Sequence, residues 1–181
     1  IPVDPEWPIV ELGDVCDLYQ PKTITSSDLE ADGEFVVYGA NGIIGRYHQF
    51  NHEHPEVLIT CRGATCGTIN MSQPKSWVTG NAMVATPKDG RIDKSFLHSL
   101  LLGSDLSSTI SGSAQPQITR QGLSPFKIPL PPIEVQQAIA AEIEAEQALV
   151  SGNRNLIARF EKKIDAAIAR VWGEAKAKGA A

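Results

Sequence analysis

Two periodicities divide the chain. Past residue 132, apolar side chains return every seven positions: Ile143, Val150, Ile157, Ile164 and Val171 share one register position, and Ile139, Glu146, Asn153, Phe160 and Ala167 lie four residues before each. β-Branched residues in unbroken heptad register predict a coiled-coil helix. The stretch 133–172 contains no proline and only one glycine, Gly152. At 1.5 Å per residue such a helix is roughly 60 Å long. A domain of ~130 residues has a radius of gyration of about 14 Å, so part of the helix is expected to extend past it and meet another partner. Glu146 and Asn153 weaken the seam and specify its register. The competing reading is a core helix of a larger bundle.

Residues 1–131 have a shorter rhythm. The run 36–50 (VVYGANGIIGRYHQF) reads as two strands joined by Gly-Ala-Asn-Gly, since Asn-Gly readily supplies positive φ. In 56–71, VLITC is a buried strand, RGAT a loop and CGTINM the return strand. Residues 76–87 form a third strand pair or a broken strand, interrupted at Thr79-Gly80-Asn81. The run 95–106 is the clear helix, with Ser95 or Asp93 as cap and an apolar stripe ending at Gly103. Short strands with one or two helices predict an α+β fold. The expected organisation is a mixed globular domain over 1–131 and one long coiled-coil helix over 132–175. Between them Pro129, Pro131 and Pro132 predict a stiff, polyproline-like strut, with Pro132 entering the helix near its first turn. A stiff strut sets the angle between domain and rod.

Composition narrows the class. Apolar residues are 42% and charged residues 20% of 181, ordinary for a globular protein. No apolar run approaches the ~18 residues a membrane span needs, and the start IPVDPEWP lacks the regions of a signal peptide. Three cysteines, Cys16, Cys61 and Cys66, are too few for a disulfide framework and point to a reducing cytoplasm. The net charge of −5 is unevenly spread: nine acids face one base over 1–34, five acids face eight bases over 35–131, and 132–181 holds seven of each. The middle of the chain is mildly basic within an acidic whole.

Catalytic constellations are scarce. The GxxGxxG spacing of Gly39, Gly42 and Gly45 is neither a dinucleotide fingerprint nor a P-loop, and fits a hairpin turn. His52-Glu53-His54 has no companion ligand at zinc spacing. Cys61 and Cys66 read as small residues of paired strands, and no sequence feature supports a nucleophile pair of Cys61 with His48 or His98. The chain reads as a non-enzyme with no cofactor and no metal. What remains are polar turns: Lys22, Thr23, Asn41, Gly42, Arg46, Arg62, Thr65, Lys75, Asn81, Gln115 and Gln117 carry the side chains that contact phosphates and base edges. The competing view of Arg62 is a salt bridge to the acidic N-terminal segment, and of the 113–117 loop a structural packing role.

Four stretches resemble one family. They are W-P-x-V-x-L-G-D-V (Trp7 to Val15), Y-G-A-N-G-I-I-G (Tyr38 to Gly45), V-L-I-T-C-R-G-A-T-C-G (Val57 to Gly67), and the run from Gly112 through I-P-L-P-P to Ile139. Together they resemble the specificity subunit of type I restriction–modification systems. Glu134-Val135-Gln136-Gln137 departs from the family, which more often reads E-Q directly. The resemblance implies a target recognition domain reading one half of a split double-stranded DNA site. It also implies a spacer helix that packs antiparallel with a second one and docks the methyltransferase subunit, through which the restriction subunit joins. The helix interface expected from the heptads is Ile139, Ile143, Val150, Ile157, Phe160, Ile164 and Val171. Such subunits carry two domains and two helices, and this chain carries one of each. Two expectations stand, a fragment or a short subunit that pairs with itself; the missing Met and the preamble IPVDPEWP favour a fragment, a C-terminal half, and a homodimer through the helices would restore the two-fold arrangement.

Two other classes remain open at this level. One is a self-associating coiled-coil module without DNA binding, separated by a salt-dependence test. The other is a recognition domain cut from a larger methyltransferase, against which the absence of N-P-P-Y, D-P-P-Y or a cofactor-binding glycine motif argues.

Overall fold

The computed structural model describes residues 6–39, 41–112 and 114–172, so Ala40 of the expected hairpin turn, Ser113 of the expected loop and residues 173–175 of the expected helix lie outside the described residues. In chain order the elements are β1 (Ile9–Glu11), α1 (Leu12–Val15), β2 (Cys16–Tyr19), β3 (Phe35–Gly39), β4 (Gly42–Tyr47), β5 (Val57–Thr60), β6 (Ile69–Met71), β7 (Trp77–Val78), β8 (Ala82–Pro87), α2 (Lys94–Leu102), β9 (Ile110–Ser111), β10 (Gln117–Ile118), α3 (Arg120–Leu123), β11 (Lys127–Pro129) and α4 (Ile133–Trp172). The α+β class and the long C-terminal helix are as expected. Chain contacts divide the protein into two units, residues 1–140 and 141–181.

In the first unit the central sheet runs β2-β8-β5-β6, antiparallel throughout. Its middle strands are apolar over Val57–Ile59 and Ala82–Ala85 because both faces are covered there. Val57 and Ile59 of β5, with Met83 and Ala85 of β8, join a core containing Leu12, Val15, Phe96, Leu97 and Leu101. The alternate residues Leu58, Ala82 and Val84 join Tyr38 and Val78 on the other face. Period-two alternation thus serves two cores. The second sheet is β4-β3-β7, with β3 antiparallel to β4 and parallel to β7. Residues 76–87 are therefore a broken strand, not a pair: Trp77–Val78 belongs to one sheet and Ala82–Pro87 to the other. The Thr79-Gly80-Asn81 turn makes the switch.

Helix α2 starts one residue earlier than expected, at Lys94, and ends at Leu102 with Gly103 as C-cap. Asp93 is its cap, accepting a hydrogen bond from Phe96 N at 2.9 Å.

The strut is not free polyproline. Lys127–Pro129 is a strand paired antiparallel with Ile9–Glu11, and Leu130 N donates to Pro8 O at 2.9 Å. Proline is compatible with this edge position because the pairing is on one side only. Pro132 then supplies the carbonyl for Val135 N and Gln136 N, both at 3.0 Å, and the helix begins. Its first turns belong to the first unit: Gln136 and Ala140 are buried, and Ile139 packs against the main core rather than standing free at a seam.

The described part of the second unit is the rest of α4, residues 141–172. From Leu149 onward its large apolar side chains are open: Leu149, Val150, Leu156, Ile157, Phe160, Ile164, Ile168, Val171 and Trp172 are 42–81% exposed, while Ile143 is half-buried. Among the described residues no helix is long and apolar enough to cross a membrane.

Candidate nucleic-acid interface

Four chain segments close on one another around Cys61. The strand end Thr60-Cys61 meets the sheet-switch turn, where Cys61 N donates to Asn81 O at 3.2 Å and the Cys61 thiol donates to the same oxygen at 3.1 Å. Gln20 Nε2 donates to Cys61 Sγ at 2.9 Å and to Gly80 O at 3.0 Å, and Gly80 N donates to Thr23 Oγ1 at 3.1 Å. A Cβ on Gly80 would stand 2.7 Å from both Pro21 O and Thr23 Oγ1, so glycine is what lets the 20–23 segment lie against the turn. On the other side Gly63 N donates to Pro116 O at 3.1 Å and Ile118 N to Cys61 O at 3.0 Å, which places Arg62 opposite Gln117. Burial pushes the Cys61 thiol above its ordinary pKa, so it stays neutral and serves as a packed hydrogen-bonding hub, not a nucleophile.

Lys22, Thr23, Arg62, Thr65, Gln115 and Gln117 are exposed on this edge, and Asn81 is half-buried in it. The Asn41-Gly42 hairpin tip stands beside the same turn, since Thr79 N donates to Tyr38 O at 2.9 Å and Gly39 pairs with Gly42. Two expected contact residues are elsewhere. Arg46 lies near the far end of β4, where its guanidinium donates to Gly33 O and to Glu34 O. Lys75 adopts φ 51° in the turn that brings His52 to Ser76, its N–H donating to Glu53 O at 3.0 Å.

Charge is selective at this edge. The first unit contains nine basic residues, Lys22, Arg46, Arg62, Lys75, Lys88, Arg91, Lys94, Arg120 and Lys127. Five are held by the fold: Arg46 as above, Lys88 on Gly13 O, Arg91 on Asp89, Lys94 on Glu56 and Lys127 on Glu11. Among the described residues Lys22, Arg62, Lys75 and Arg120 make no side-chain hydrogen bond or ion pair, so Arg62 has no salt bridge to the acidic N-terminal segment there. Three of those four lie on segments 20–23, 61–65 and 114–120, which with 79–81 hold no aspartate or glutamate. An acidic chain therefore presents one acid-free, basic edge.

Arg120 and Ser111 were not among the residues expected from sequence. Ser111 pairs with Gln117 across β9 and β10. Arg120 directly follows the Q-I-T run, and its proximity in the chain to Gln117 was the available signal. His52, considered as a ligand, instead bonds Tyr19 Oη at 2.9 Å and Asn51 Oδ1 at 2.6 Å, and burial lowers its pKa. Among the described residues no three His, Cys, Asp or Glu gather as a metal site. A cleft of about 480 Å³ lined by Pro8, Gly90, Arg91 and 130–133 contains none of the expected contact residues.

Residues 5–158 match the family described as the type I restriction modification DNA specificity domain. A Haemophilus influenzae protein described as a type I restriction enzyme specificity subunit is 27% identical over 150 residues, covering 81% of this chain and 38% of its own length. The EcoprrI specificity subunit of Escherichia coli is 30% identical over 118 residues, covering 65% of this chain and 29% of its own. The S subunit structure from M. genitalium superposes with a TM-score of 0.66 at 17% identity, covering 95% of this chain and 50% of that one. The chain thus spans half or less of each of these three proteins.

Proposed function

The chain belongs to the type I restriction modification DNA specificity family, and we propose that it reads one half of a bipartite double-stranded DNA site within a restriction–modification complex. Residues 1–131 are the recognition part and 132–175 the spacer helix in this reading. The observation that carries it is the acid-free edge, where Lys22, Arg62 and Arg120 stand uncommitted beside Thr23, Asn81, Gln115 and Gln117. Those side chains supply charge for phosphates and bidentate amides for base edges. The chain itself performs no methyl transfer or cleavage. It docks the methyltransferase subunit through α4, and the restriction subunit follows indirectly. The seam Val150, Ile157, Phe160, Ile164 and Val171 is covered by a second recognition half or by a second copy of the chain; Ile143 lies on the same register position.

Fluorescence anisotropy with a labelled duplex at rising salt tests the reading. Phosphate contacts release counterions at ~0.9 per charge, so Lys22 and Arg120 alone give a slope near −2 in log affinity against log salt. Absence of binding, or binding indifferent to salt, refutes it.

A further inference from the structure

The geometry points to Arg62 and Gln117 as a single reading head that recognises two neighbouring base pairs in the DNA major groove, Arg62 a guanine and Gln117 an adenine. The inference rests on the DNA-recognition reading and adds to it the base classes and their adjacency. The two residues are 55 positions apart in sequence yet face each other across an antiparallel bridge. The flanking bonds run from Gly63 N to Pro116 O and from Ile118 N to Cys61 O. Arg62 and Gln117 therefore form the non-hydrogen-bonded type of pair, in which Cα atoms come to about 4.5 Å and side chains project together. On the far side of Gln117, Ser111 is its partner in β9. Arg62, Gln117 and Ser111 are all exposed, while the neighbouring row Cys61, Ile118 and Ile110 is buried or packed on the core. Alternation thus turns one row of three hydrogen-bonding side chains outward.

That row fits a groove. A narrow β-ribbon enters the major groove, which is ≈ 12 Å wide, and successive bases along a strand are ~3.4 Å apart. Two side chains rooted about 4.5 Å apart are within about 1 Å of that step, a difference their flexible stems can take up. Arginine pairs bidentately with guanine O6 and N7, and glutamine with adenine N6 and N7. Neither side chain has a hydrogen bond or ion pair within the described residues that it must give up. Lys22, on the 20–23 segment held against Gly80, and Arg120, three residues past Gln117, serve as the phosphate contacts. The backbone beside Arg120 is held by Thr119, whose Oγ1 accepts from Gly122 N at 3.1 Å.

The test is selection from a randomised duplex library by the full chain, followed by sequencing, for wild type, Arg62→Ala, Arg62→Lys, Gln117→Ala and Arg120→Ala, with melting temperatures measured alongside. Wild type is expected to enrich a motif with guanine and adenine at adjacent positions. Arg62→Ala relaxes the guanine and Gln117→Ala the adenine, each by roughly 5- to 150-fold in discrimination. Arg62→Lys keeps the charge but loses the planar bidentate fork, so it keeps salt-dependent binding to unselected duplex and weakens the guanine preference even if the alanine variant folds poorly. Arg120→Ala weakens all sequences alike and lowers the salt slope by about one. If wild type selects a motif that every folded variant retains, or if the relaxed positions are not adjacent, the reading head is refuted while DNA recognition stands. If wild type enriches no motif, both fail.

Discussion

Replacing Gln136 should unlock the start of the long helix from the domain. Its side chain is 0% exposed and makes three hydrogen bonds: Nε2 donates to Arg91 O at 2.9 Å and to Pro131 O at 2.8 Å, and Oε1 accepts from Asp93 N at 2.8 Å. One amide therefore ties α4 to the strut and to the residue that caps α2. Gln136→Ala removes all three bonds. Each group left buried and unpaired costs about 1–3 kcal/mol. Arg91 and Asp93 are partly open to water, so only Pro131 O and part of the Asp93 N–H bear that cost, about 2–3 kcal/mol together. Loss of the buried methylene and the cavity left behind adds about 1 kcal/mol or more. The sum, about 3–4 kcal/mol, is a large part of a typical folding free energy of 5–15 kcal/mol. Urea unfolding followed by tryptophan fluorescence measures it, with the exposed neighbour Gln137→Ala as control, expected within about 0.5 kcal/mol of wild type. Gln136→Glu keeps the shape but cannot donate to two carbonyls when ionised, so it should be destabilised too, and less so at acid pH. Equal stabilities for Gln136→Ala and Gln137→Ala would refute the anchor.

Three further outcomes follow from the same structure. The double variant Ile157→Asp, Ile164→Asp places charge in the expected seam and should cost several kcal/mol of association; unchanged mass by sedimentation across concentrations, with methyltransferase docking intact, would count against an interface there. Gly80→Ala drives a methyl into Pro21 O and Thr23 Oγ1, so it should lose about 1–3 kcal/mol and weaken duplex binding by displacing Lys22, whereas Gly152→Ala, with open space around it, should be neutral or stabilising by thermal melting. Burial holds His52 below its ordinary value of 6.5, so the unfolded chain takes up a proton first. The neutral ring's contribution is complete above about pH 7 and is lost as pH falls through 6.5, levelling off below the folded value; a His52→Gln variant should show a flatter melting-temperature profile between pH 7.5 and 5.5.

Elements whose signals are local were legible in the residues alone. Heptad spacing specified the helix, because the residues that make its stripe are three, four and seven apart and need no knowledge of the rest of the chain. Gly-Ala-Asn-Gly marked the β3–β4 hairpin, and the prolines marked the boundary before α4. The motif runs also sufficed to reach the family. Tertiary structure decided everything that depends on distant segments meeting. Strands β1 and β2 lie in a stretch with no clear period, and exist because β11 and β8 supply partners. Arg46 and Arg62 look alike in sequence, yet one is consumed by backbone carbonyls and the other left open. Ile139 sits on the heptad but faces the core, because the helix begins against the domain. Gln136 is an ordinary helix-start polar residue until Arg91, Asp93 and Pro131 close around it. The Arg62–Gln117 pair has no local trace at all: its register is set by burying Cys61, Ile118 and Ile110 beneath it, and a one-residue slip would turn that whole row toward water.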